Sequence, residues 1–299
     1  MKQNINLYIA AALMLTLGGC NKGLGPEDAG SITIEATVGD MTKVSYDGNK
    51  TRFTEGDQIT VYGWLGSTAE VPSTRVVNGV KCTLGTDGTW TPESPMYWAP
   101  GGEAHYFLAV YPARKIRRFT DEEFVLDPAD YRASDLLIAT NLDGVKASDG
   151  PVALSFDHAM AKLVVNLKFR SEFGGAPSVG SVTVTARKTA TVNYLTKAVT
   201  ASGSVQRISL PDAAAAPEGY SLSFSGLLIP QEGVRKVTVS IGLNEYVYES
   251  ATDIPLKSGQ YTTLGFIVGK EKIELASVSV SDWETADDLP GGEALQEVL

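Results

Sequence analysis

Histidine and cysteine are nearly absent from this chain of 299 residues, with two of each. The lack of cysteine excludes a disulfide framework, so stability has to come from a buried apolar core. Cys82, inside a strand-like run, carries no adjacent base and reads as a small buried hydrophobe, not a nucleophile. His105 and His158 stand apart in the sequence without a nucleophile near either, and each reads as a hydrogen-bonded histidine at the edge of a sheet. Also missing are G-x-S-x-G, G-x-x-x-x-G-K-[ST] and H-E-x-x-H, the signatures of common hydrolases, nucleotide binders and zinc proteases. No catalytic residue, metal or cofactor is expected. A carboxylate pair for glycoside chemistry is defined by spatial separation, and nothing in the sequence favours one.

Positive charge is short as well. The 25 Lys and Arg face 35 Asp and Glu, a formal net charge of −10, which argues against a nucleic-acid partner. Arg114-Lys115-Ile116-Arg117-Arg118 is a local exception, with Asp121, Glu122 and Glu123 close behind it, and reads as a solvated loop. Apolar runs with a 3.6-residue period over a dozen residues are absent after the first segment, which excludes the alternating strands and helices of a parallel nucleotide-binding sheet. A short helical period is conceivable only in the tail, 293–299.

The long apolar run that does occur is residues 5–17, after Lys2 and directly before Leu17-Gly18-Gly19-Cys20. It falls short of the roughly 20 residues that span a bilayer. It has the form of a signal peptide ending in a lipobox, in which small residues fit the peptidase and the thiol accepts lipid. Residues 1–19 are therefore expected to be removed, Cys20 to be lipidated, and residues 20–30, with Gly23, Gly25 and Pro26, to form a tether. The chain is therefore expected to be exported and held at a membrane by its lipid.

Beyond the tether the chain has all-β punctuation. Ile32, Ile34, Ala36 and Val38 alternate with Thr33, Glu35 and Thr37, the period of a half-buried strand. Residues 58–64, 105–111, 163–169, 182–186, 237–243 and 261–268 are β-rich runs separated by Gly, Pro, Asn or Asp. About 280 mature residues suit two domains of about 130 each. Turn residues crowd most densely in 141–151, so the expected domains are 31–150 and 151–285, with a tail at 286–299. Asn141, Asp143 and Asp149 around Gly144 have part of the composition of a calcium loop, without its spacing or its final Glu, and read as an inter-domain loop. Trp64, Trp90, Trp98, Tyr97, Tyr106 and Tyr111 concentrate in the first half; their strand contexts favour core packing over stacking on sugars.

Several short motifs, taken in order, carry a family. Cys20, Ile32-Thr33-Ile34-Glu35-Ala36 and Thr42-Lys43 precede Phe53-Thr54-Glu55-Gly56-Asp57-Gln58-Ile59-Thr60-Val61-Tyr62. Gly88-Thr89-Trp90, Pro95-Met96-Tyr97-Trp98, residues 106–112 and Asp135-Leu136-Leu137-Ile138-Ala139 come next, then Leu154-Ser155-Phe156-Asp157-His158-Ala159-Met160-Ala161-Lys162-Leu163, Leu228-Ile229-Pro230-Gln231 and residues 278–283. This order resembles the fimbrillin-like family of Gram-negative gut and oral anaerobes.

The resemblance implies an all-β chain of two transthyretin-like β-sandwich domains in tandem, made as a lipoprotein and serving as a subunit or accessory protein of type V pili. It also implies proteolysis after a basic residue beyond the first strand, and replacement of that strand by one from a neighbouring subunit. Ile32, Ile34, Ala36 and Val38 would then leave an apolar slot with unpaired backbone. Where the family often has arginine, this chain has Lys43, and the nearest arginine is Arg52. Cleavage at Lys43, cleavage at Arg52 and an uncut lipidated chain stay open. Partners are expected to be other pilus subunits, of the same or a different kind, the outer membrane through the lipid anchor, and surface receptors or glycans. Residues 271–280 are strand-like, and Leu295, Val298 and Leu299 supply apolar positions for a donated strand. The competing reading is a non-polymerising lipoprotein that binds glycans at the cell surface.

Overall fold

The structure is a computed structural model that describes residues 30–39, 52–213 and 215–283. Cys20, Lys43, Leu295, Val298 and Leu299 lie outside the described residues. The fold is all-β, with sixteen strands, one four-residue α-helix, α1 (Tyr131–Ser134), and two 3-10 turns, Ala147–Asp149 and Ser171–Phe173, among the described residues.

Seven strands form the first sheet: β1 (Ile34–Val38), β2 (Gln58–Trp64), β3 (Val77–Leu84), β4 (Trp90–Pro92), β5 (His105–Tyr111), β7 (Leu137–Val145) and β8 (Val152–His158). Their order is β1-β8-β7-β5-β2-β3-β4. Two further sheets hold the rest. One contains β11 (Ala198–Leu210), β10 (Val179–Asn193), β13 (Lys236–Ile241) and β14 (Asn244–Glu249), with β6 (Glu122–Val125) also paired to β10. The other runs β12 (Leu222–Leu228), β9 (Ala161–Phe169), β15 (Gln260–Val268) and β16 (Ile273–Asp282).

The central strands of the first sheet are apolar on both faces. In β5, Phe107, Ala109 and Tyr111 point to one core, while Leu108 and Val110 point to another. In β2, Ile59 and Val61 go with the first group and Tyr62 and Trp64 with the second. A strand with period-two side chains reads as a continuous apolar run only when both faces are covered. Ile32, Ile34, Trp90, Met96, Trp98 and the inward residues of β8 cover one face. The other merges into the core between the two remaining sheets, with Leu163, Val165 and Leu167 of β9, Val182 and Val184 of β10, and Leu264 and Phe266 of β15.

The turn-rich stretch 141–151, where the sequence suggests a domain junction, connects β7 to β8 within one sheet. β8 pairs with β7 on one side and β1 on the other, so the chain leaves the first sheet at Ala159 and Met160. The physical reason is the side chains of Val152, Leu154 and Phe156, which complete the core shared by β1, β2 and β5. A loop dense in turn residues marks a reversal of the chain, and a hairpin satisfies that description as well as a domain boundary does.

The halves are also joined by backbone. Phe124 of β6 pairs with Ala190 of β10, and the Leu126 amide donates to the Lys188 carbonyl at 2.8 Å. Sequence periodicity locates β2 and β5 at their observed bounds but finds neither β6 nor β11. β6 is four residues long, and β11 is exposed along most of its length, with Ser, Thr, Gln and Arg where an alternating strand would carry apolar residues. Truncating Phe124 to alanine is expected to cost about 3 kcal/mol or more, the usual range for a buried phenylalanine. Urea denaturation measures this, and a loss under about 1 kcal/mol would show that β6 contributes little to holding the halves together.

Candidate functional site

The segment with chemistry distinct from the rest of the fold is the edge of the first sheet. β1 lies parallel to β8, with Ile34 opposite Val152 and Val38 opposite Phe156. Parallel neighbours in sequence-distant positions require no hairpin between them, so among the described residues β1 is held by this ladder, by its side chains and by the residues that lead into it. The ladder is continued at both ends. The Val152 amide donates to the Thr33 carbonyl at 2.8 Å, and the Gly39 amide donates to the Phe156 carbonyl at 2.9 Å.

On its other flank only the start of the segment is paired. The Ile32 amide donates to the Met96 carbonyl at 2.8 Å, and the Trp98 amide donates to the Gly30 carbonyl at 3.1 Å. Ile32 and Ile34 are buried, at 3% and 6% exposure, while Ala36 and Val38 are half-buried against the same core. The four alternating residues thus share one face, as their spacing predicts. At roughly 1.5–3 kcal/mol for each fully buried large aliphatic side chain, the two isoleucines carry most of the apolar stabilisation.

Beyond Gly39 the described chain resumes at Arg52, which is exposed. Phe53 comes next and is wedged edge-on against Trp90, Tyr111 and Phe156, with ring centres 5.1, 5.6 and 5.2 Å away. Phe53 anchors β2 to the same core that β1 closes.

The remaining candidates resolve into structural roles. Cys82 is fully buried, and burial, with a smaller contribution from Glu93, pushes its thiol up to about 12. The thiolate needed for nucleophilic attack is therefore scarce at neutral pH. His105 is buried; its Nδ1–H donates to the Glu103 carbonyl at 3.0 Å and its Nε2 accepts the Ala99 amide at 3.0 Å, the tautomer these two partners require. His158 Nδ1 lies 2.9 Å from Asp135 Oδ1, and its ring stacks flat on Trp283 at 4.0 Å. A His–Asp pair is part of a hydrolytic triad; here both side chains are almost fully buried, at 2% and 4% exposure, and His158 forms part of the wall of a cleft of about 370 Å³ with Ser258 and Trp283.

Two of the three loop residues with calcium-like composition, Asn141 and Asp149, make local hydrogen bonds. The Asn141 amide donates to the Ala153 carbonyl at 3.2 Å, and Asp149 accepts the Lys146 amide at 2.8 Å. No group of three or more His, Cys, Asp or Glu side chains among the described residues is arranged to hold a metal ion. Trp64, Trp90, Trp98 and Tyr111 are buried, so among the named aromatics Tyr97 is the one substantially exposed, at 47%. A row of surface aromatics for stacking on sugar rings is not formed by these residues.

A family model described as fimbrillin-like matches residues 42–283. No curated protein matches the chain. Among solved structures, one described as a cell adhesion protein from Bacteroides uniformis has a TM-score of 0.65 at 20% identity, covering 85% of this chain and 99% of that one. One from Bacteroides ovatus with the same description gives 0.65 at 16% identity, covering 85% and 98%. A fimbrial protein from Bacteroides vulgatus gives 0.50 at 12% identity, covering 84% and 99%. At these identities the likeness is one of fold.

Two predictions come from the buried groups. Cys82 is expected to resist iodoacetamide at about pH 8 in the folded protein and to react after denaturation; mass spectrometry reads the adduct, and rapid labelling of the native chain would contradict the burial. Burial also holds the His105 imidazole below its ordinary value. The neutral form is favoured by the fold, so stability present above about pH 6.5, where the unfolded chain takes up its proton, is lost as pH falls through the lower folded value. His105→Gln is expected to flatten the decline in melting temperature between about pH 7 and pH 5 relative to wild type, and parallel curves would rule out this contribution.

Proposed function

This chain belongs to the fimbrillin-like family, and from that premise we propose that it is a structural and adhesive subunit of a type V pilus. In this reading it is exported as a lipoprotein through Cys20 to the outer membrane surface, and assembles with other subunits when its first strand is exchanged for a strand of a neighbour. Its sheets are read as two transthyretin-like β-sandwich units in tandem.

The observation that carries this reading is the position of β1. Among the described residues it is an edge strand, bonded along its length to β8, yet it buries Ile34 in the core together with Ile32 just before it. Removal would uncover Val152, Leu154 and Phe156 together with the unpaired N–H and C=O groups of one side of β8. Such an edge is a template for another strand, because both backbone pairing and apolar burial are recovered on docking. Cleavage at exposed Arg52 would leave Phe53 as the new first residue, held among Trp90, Tyr111 and Phe156; cleavage at Lys43 would leave a longer end.

The donor is proposed to be residues 284–299, with Leu295, Val298 and Leu299 as its apolar positions. β16 is a poorer donor. It is registered to β15 from Ile273 to Asp282, and Trp283 after it is buried against His158, so its departure would open the core.

Deleting residues 284–299 from the full chain is expected to abolish the ladder of polymers seen on unboiled gels after protease treatment, while leaving the monomer folded. Undiminished ladders would defeat the donor assignment. Ladders formed without any cleavage between Gly39 and Phe53, read by mass spectrometry of the mature N-terminus, would defeat strand exchange itself.

A further inference from the structure

Most cationic side chains of this acidic protein that meet a carboxylate do so in plain surface ion pairs, such as Arg207 with Glu245 and Arg235 with Asp253. One cleft departs from that pattern. It lies where the approach to β3 faces the loop after β5, has a volume of about 520 Å³, and is lined by Glu70, Arg75, Arg117, Arg118, Phe119 and Asp121.

Arg75 is held in a defined pose. Its guanidinium carbon sits 4.2 Å from the centre of the Phe119 ring and 5.7 Å from that of Tyr62, and Nη1 donates to Asn78 Oδ1 at 2.9 Å. Stacking on an aromatic face fixes the plane of the guanidinium and reduces the entropy lost when it binds. Its Nε is buried without a hydrogen-bond partner, and Arg75 forms no ion pair among the described residues. Arg117, across the cleft, is exposed and likewise without an ion pair among the described residues. Arg118 differs, being bound to Asp121 at 3.0 Å and approached by Glu122 at 4.0 Å.

We infer that this cleft is a binding site for the carboxylate of an acidic sugar, of the uronic-acid type, with Arg75 and Arg117 as the carboxylate ligands. A planar, pre-oriented guanidinium matches a carboxylate bidentately. The volume falls in the range of roughly 300–1,000 Å³ typical of small-molecule sites. The acidic rim decides between possible anions. Glu70 and Asp121 would repel a polyacidic peptide, whereas they accept hydrogen bonds from sugar hydroxyls beside a single carboxylate. Phe119 itself is buried, so it serves to orient Arg75 and does not stack on the sugar ring. The cleft is separate from the β1 edge, and its binding of uronate holds whether or not the chain polymerises.

The test is calorimetric titration of the full chain with a galacturonic-acid trisaccharide, its neutral galactose counterpart, inorganic phosphate and a polyglutamate peptide. The expected result is binding of the uronate alone, weakened about tenfold or more by Arg75→Ala and by Arg117→Ala, and also weakened by Arg75→Lys, which keeps the charge but loses the fork. Arg207→Ala, outside the cleft, is expected to bind as wild type does. Arg117 is exposed, so Arg117→Ala carries the test if Arg75→Ala fails to fold. Absence of uronate binding, equal binding of phosphate or polyglutamate, or uronate binding untouched by Arg117→Ala would each overturn the assignment.

Discussion

The structure depends on the covering of one sheet from both sides. Strands β2, β5 and β7 carry apolar residues on both faces, and a sheet of that kind has no solvent side to turn outward. One face is met by the sandwich of the second and third sheets. The other is closed by a thinner layer: β4, the Met96–Trp98 stretch and the residues leading into β1. Every element at that face is short or lies at an edge, so the closure is the weaker half of the architecture.

This asymmetry gives β1 its particular standing. Its side chains belong to the core, but among the described residues its backbone belongs to the fold through a single parallel neighbour along most of its length. Stability in a protein is unevenly distributed, and segments with few backbone partners open at lower cost than central strands. Trp283 is the counterpart at the other end of the described chain. It is fully buried and stacked flat on His158.

The thiol, the His–Asp pair and His105 are all buried, and the two histidines are held by local hydrogen bonds. At the surface, Arg75 lies over the Phe119 ring in a cleft that Arg117 also lines. The basic stretch 114–118, which reads in the sequence as a solvated loop, divides in the structure. Ile116 is buried with its amide donating to the Tyr62 hydroxyl at 2.7 Å, and Arg117 and Arg118 turn into the cleft.

The sequence by itself determined the class of the fold and the chemistry of its segments. Period-two alternation at Ile32, Ile34, Ala36 and Val38 reports a strand with one buried face, because side chains of an extended backbone must alternate. Continuous apolar runs such as Phe107 to Tyr111 report burial on two faces for the same reason. The family was legible in the order of short motifs, each weak alone. What only the tertiary structure decided is pairing. No local pattern states that β8 belongs with β1 and β7, that four residues of β6 bond to β10, or that Arg75 meets Arg117 across a cleft. Partners in a sheet or a site are chosen by the fit of surfaces distant in the chain, and periodicity carries no information about which surface will be opposite.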